Sequence, residues 1–87
     1  MRLVWDVETN GFLDDLTTIH CIAVQDVDKD TEPQIYGPQT VEEGIRLLMK
    51  ADEIIGHNII NFDIPAIQKV YPLFSTGAAQ LNQIAGE

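Results

Sequence analysis

The chain has 87 residues, 45% of them hydrophobic, and a formal charge of −9, which is enough for one small domain with a single core and marginal stability. Its apolar runs are only a few residues long, far short of the ~18 that would cross a bilayer. The only basic residues are Arg2, Lys29, Arg46, Lys50 and Lys69, too few for the basic surface by which most nucleic-acid-binding proteins neutralise phosphates.

The opening run Arg2-Leu3-Val4-Trp5 is strand-like and lacks the long apolar stretch and small-residue cleavage site of a signal peptide, so a cytoplasmic location is expected. Thirteen of the fourteen acids lie at or before Asp63, which assigns the acidity to the folded part and not to a solvated tail. Cys21 is the single cysteine; it can form no intrachain disulfide, and its apolar neighbours Ile19 and Ala23 predict a buried thiol.

In chain order, residues Arg2 to Val7 read as a buried strand, with Asp6 and Glu8 projecting from its end and Asn10-Gly11 as a turn signal. Thr17 to Val27 is a second strand, expected to be central. It places Ile19, Cys21 and Ala23 on one face and Ile22 and Val24 on the other, as in a sheet covered on both sides. His20 falls inside this pattern as a core or edge polar residue. The acidic stretch Asp26 to Glu32 is a hairpin connection to a short edge strand, Gln34-Ile35-Tyr36, ended by Gly37-Pro38.

Thr40 and Glu43 form a capping-box pattern, and Val41, Ile45, Leu48 and Met49 repeat at helical spacing, so a helix is predicted from Val41 to about Ala51. Glu53-Ile54-Ile55-Gly56 then reads as a strand after a crossover helix. A second helix starts around Asn61 to Asp63, with Pro65 in its first turn and Ile64, Ile67 and Val70 as its apolar stripe, and stops at Tyr71-Pro72. Residues 75–87 carry Ala78, Leu81 and Ile84 at loose helical spacing, a weak helix or a flexible tail. The whole is an α/β arrangement with a mixed sheet, in which sites form beyond the carboxyl ends of strands. Asp6, Glu8 and His57 fall there.

Two acids one residue apart on a strand share a face, with Cα atoms roughly 6 to 7 Å apart, so Asp6 and Glu8 can reach one metal. Carboxylates at the end of an apolar strand need a counter-charge, and Mg²⁺ or Mn²⁺ prefers oxygen ligands. An isolated Asp-x-Glu is more often a pair of solvated residues. Here the context is longer: Asp6-Val7-Glu8-Thr9-Asn10-Gly11 resembles the first motif of the DEDD 3′→5′ exonucleases. Gly56-His57-Asn58-Ile59-Ile60-Asn61-Phe62-Asp63-Ile64-Pro65 resembles their second, as spaced in the proofreading domains of phage family A polymerases and of family B polymerases.

Motif order and separation agree with that family over residues 2 to about 72. The resemblance implies a ribonuclease H-like mixed sheet, β-β-β-α-β-α, truncated: a partial exonuclease domain over residues 1–74 and a divergent tail over 75–87. It implies a hydrolase of DNA replication in which Asp6, Glu8 and Asp63 are catalytic and bind two metals, Mg²⁺ or Mn²⁺. Thr9, Asn58, Asn61 and Phe62 would shape the pocket for the 3′ end of single-stranded DNA. Phe62 is read more as helix packing than as stacking, and His57 more as a structural hydrogen-bonding residue than as a general base.

The family's third motif, with a fourth carboxylate and a Tyr or His shortly before it, has no counterpart: after Asp63 the only acid is Glu87. The expected activity is therefore weak or lost in this chain alone. Three readings remain open. The chain is a piece of a polymerase's proofreading domain, or half of a split enzyme completed by another chain or by self-association, or a non-catalytic interaction or regulatory module, dimeric through an apolar surface to which Ile22, Val24, Ile67 and Val70 would contribute.

Overall fold

The computed structural model describes residues 1–84. The element order is β1 (Arg2–Thr9), β2 (Ile19–Asp26), β3 (Gln34–Tyr36), α1 (Val41–Met49), β4 (Glu53–Gly56), a π-helical turn (Ile59–Asp63), α2 (Ile64–Val70) and β5 (Gln80–Gln83). These make a mixed five-stranded sheet in the order β3-β2-β1-β4-β5. The β1–β2 and β2–β3 pairs are antiparallel, and the β1–β4 and β4–β5 pairs are parallel. β1 is the central strand; β2 is interior and β3 forms one edge.

β1 alternates: Leu3, Trp5 and Val7 are buried while Asp6 and Glu8 are exposed. Its partners keep step, with Trp5 opposite Val24, Val7 opposite Ile22 and Leu3 beside Ile54. These residues join Val41, Ile45 and Leu48 of α1 and Ile64 and Ile67 of α2 in one core cluster. Both helices thus cover the same face.

The opposite face carries Val4, Asp6, Glu8, Cys21, Ala23, Ile35 and Ile55, and no described helix packs on it. The expectation of a sheet covered on both sides does not hold. Cys21 is half-buried on this open face, not in the core. Ile22, Val24 and Ile67 are fully or nearly buried and Val70 packs against the core, so they form no exposed patch. The exposed isoleucine of this open face is Ile35, 64% accessible. A register irregularity between Glu8 and Thr9 pairs Thr9 with Ile19; this bulge turns Ile19 to the buried side and leaves His20 exposed.

α1 begins at Val41 as its sequence signals, but the capping box does not form. The Thr40 hydroxyl lies 3.5 Å from the Gly37 carbonyl instead of bonding a helix amide. The helix presses on β3 at Gly44, where an added Cβ would stand 2.9 Å from the Tyr36 ring.

The largest departure is β5. Residues Gln80–Gln83 pair in parallel with β4, where sequence spacing suggested a weak helix or a flexible tail. Backbone pairing to a strand already in place outweighs the poor intrinsic β-propensity of Gln and Asn. Residues 85–87 lie outside the described part. No described helix is long and apolar enough to cross a membrane.

Candidate metal site

Asp6 and Glu8 stand on the open face at the carboxyl-terminal half of β1, opposite Ala23 and Cys21 of β2. A shallow cavity of ≈ 320 Å³ runs from Asp6 and His57 along this face between Val4, Ala23, Gln25 and Pro33.

Beyond Glu8 the chain is fixed by its own side chains. Asn10 Oδ1 accepts from the Thr17 and Thr18 amides at 2.9 and 3.0 Å, and its Nδ2 donates to Thr17 Oγ1 at 2.9 Å. Thr9 Oγ1 donates to the Gly11 carbonyl at 2.6 Å and accepts from the Gly11 amide at 3.3 Å. This hydroxyl serves the turn. Asp15 accepts from the Phe12 amide at 3.0 Å, and Lys69 of α2 donates to the Leu13 carbonyl, tying the loop after the first motif to the helix that follows the second.

The second motif begins where β4 ends. A side chain at Gly56 would place its Cβ 2.4 Å from Ile59 Cγ2 and 3.1 Å from the Trp5 carbonyl oxygen, so only glycine lets the chain turn this tightly beside β1. The Asn58 carbonyl then accepts from both the Phe62 amide at 2.9 Å and the Asp63 amide at 3.1 Å, which is the wide π turn. Such turns recur at functional sites. Gln83 of β5 accepts from the Ile60 amide at 3.0 Å and holds the turn from the side. Asn58 and Asn61 remain exposed, and Phe62 packs against the core, as the packing reading expects.

The turn delivers Asp63 to a position only 5% exposed, the one buried charged residue among those described. No described residue donates a hydrogen bond to its side chain. Burial pushes its carboxyl up to about 6, the negative charges of Asp6 and Glu8 push in the same direction, and His57 partly offsets them. The two motifs therefore share one electrostatic field. Neither a family model nor a curated protein matches the chain.

The carboxylates are neighbours without converging on a point: among the described residues no three His, Cys, Asp or Glu side chains stand close enough to hold one ion together. Two carboxylates of like charge, Asp6 and Glu8, act on the poorly solvated carboxyl of Asp63, and oxygen donors of this kind are the ligands that hard cations prefer. Sequence reasoning found all three acids, and Asn10 as part of a turn signal, but not the other residues that place them. Lys69 and Gln83 act through backbone contacts that leave no periodic trace in the sequence. Gly56 was legible as the end of a strand and the start of the second motif, but its close approach to Ile59 and Trp5 was not.

Proposed function

We propose that the chain carries part of the 3′→5′ exonuclease site of a phage-type DNA polymerase, on a ribonuclease H-like sheet, with Asp6, Glu8 and Asp63 as ligands of Mg²⁺ or Mn²⁺. Asp63 carries the reading: a buried carboxyl facing the charges of two acids from the other motif. A buried carboxylate beside two others of like charge is unfavourable unless a cation offsets them. The element order supports the fold, with three antiparallel strands followed by a helix, a parallel strand and a second helix.

When bound, a pair of divalent cations supplies an activated water and stabilises the leaving 3′ oxygen in phosphodiester hydrolysis. The chain's own residues prepare for this in distinct ways. Asp6 and Glu8 offer solvent-facing oxygens on one side of a central strand, open to cations and to a DNA end. The π turn fixes the Asp63 backbone, and His57 tempers the negative charge beside it. Asn58 and Asn61 present exposed amides that suit polar contacts to a terminal nucleotide, while Thr9 and Phe62 support the scaffold. A fourth carboxylate would come from a further segment or another chain, since residues 64–86 contain no acid; the chain by itself is inactive or nearly so.

Thermal unfolding during Mn²⁺ titration tests the site. At pH 7 the metal raises the melting temperature of the wild type and leaves Asp63→Asn unmoved; an equal response in both proteins removes Asp63 from the ligand set. Any release of nucleotides from single-stranded DNA with Mg²⁺ must vanish in Asp6→Ala. A second reading, a non-catalytic interaction module, is favoured by the open sheet face with its exposed Ile35. It expects no metal response.

A further inference from the structure

The sheet has two edges of unlike character. β3 is three residues long and bracketed by Pro33 and Pro38, and proline at an edge discourages pairing with another chain. β5 has no such protection. It contains no proline and shows no bulge in its pairing to β4, and from Ser75 to Ile84 the sequence carries no charge at all, in a chain of net charge −9.

The hydrogen bonds of β5 show which backbone groups remain free. The Gln80 amide donates to the Asp52 carbonyl at 2.8 Å and the Ile84 amide to the Gly56 carbonyl at 2.7 Å, so residues 80, 82 and 84 turn their backbone groups towards β4. By strand alternation, Leu81 and Gln83 direct theirs outward. Leu81 lies on the helix side of the sheet, level with Ile54, yet stays 40% exposed, with no described strand on its outer flank.

We infer that β5 is a self-association edge, at which a second copy of this chain pairs antiparallel about a two-fold axis and joins the two sheets into one. The edge is self-complementary. With the axis at Asn82, Leu81 and Gln83 of the second copy exchange both of their backbone hydrogen bonds, and the reverse pair does the same. Asn82 faces its own counterpart across the axis, and Leu81 gains cover on its open flank. A second copy fits better than an arbitrary partner because this uncharged stretch is where two strongly acidic chains approach with least repulsion.

Sedimentation equilibrium over a concentration series reads the outcome. The wild-type mass rises towards twice the monomer value. Leu81→Pro removes an outward amide while leaving the bonds to β4 intact, and stays monomeric with an unchanged circular dichroism spectrum; Leu81→Ala, which keeps the amide, still associates. Should the proline variant not fold, the two-fold pairing of position 82 gives an independent reading. Asn82→Lys and Asn82→Glu each remain monomeric alone, by like-charge repulsion at the axis, and associate when mixed. A wild type that stays monomeric, or a dimer that persists in Leu81→Pro and in Asn82→Lys, overturns the proposal. Neither result bears on the metal response of Asp63.

Discussion

The two faces of the sheet are built from alternate residues of the same strands and serve opposite ends. In β1, Leu3, Trp5 and Val7 point under the helices, while Val4, Asp6 and Glu8 point away from them. In β2, Ile22 and Val24 belong to the first set and Cys21 and Ala23 to the second. One face holds nearly all the packing, and the other is free to carry charge. Asp63 sits where they meet: it enters from the start of a helix on the covered side, yet its ionisation is governed partly by acids on the open side.

The largest effect lies on the covered face. Ile22 is wholly buried, and Ile22→Ala removes methyl groups from a core that can collapse only partly round the gap, at a cost of about 2–5 kcal/mol. In a domain of this size that is a large share of total stability. Urea unfolding gives the number, and a loss below about 1 kcal/mol would mean that the core is looser than its burial implies.

At the junction the sign reverses. The Asp63 carboxyl is raised from 3.8 to about 6, so the folded chain holds this proton more tightly than the unfolded chain does. The stability linked to it is fully present below pH 3.8 and is lost as pH rises to about 6, after which the curve is flat. At 1.36 kcal/mol per unit this is on the order of 3 kcal/mol. Asp63→Asn should therefore stabilise the metal-free protein at pH 7 by that order, and its unfolding free energy should lack the decline between pH 4 and 6. A destabilised Asn variant would mean that the carboxylate is held by favourable contacts. A gain would mark Asp63 as a residue retained at a cost to stability, which is common for groups that do chemistry.

How far the sequence foretold each region follows from the kind of signal each leaves. Apolar alternation and helical spacing are local, so β1, β3, α1 and β4 were legible, with β3 and β4 matching their sequence boundaries. The acids of the candidate site were legible because they stand in compact motifs. Which face the helices cover was not: Cys21, Ala23, Ile22 and Val24 are all apolar, and strand period alone cannot say which pair meets a helix. β5 was invisible because its signal is not local. Gln80 to Gln83 form a strand because β4 offers a free edge, a condition set by distant residues.

The smallest effect tests the open face itself. Ile35 is on the strand next to Ile22 and opposite Ala23, but 64% exposed, so Ile35→Ala should change stability by no more than about 0.5 kcal/mol, as for surface positions generally. The two isoleucines differ in face and in position, Ile22 on an interior strand and Ile35 on an edge strand, so the ratio of their effects measures how much less the open, outer side of the sheet contributes in solution. If Ile35→Ala costs as much as Ile22→Ala, and does so only at high protein concentration, a second molecule covers the open face. If the cost is large at every concentration, the strands are packed on both sides within one chain. A near-zero cost leaves Asp6 and Glu8 on a surface that contributes little to folding, where substitutions can test the proposed metal binding without unfolding the domain.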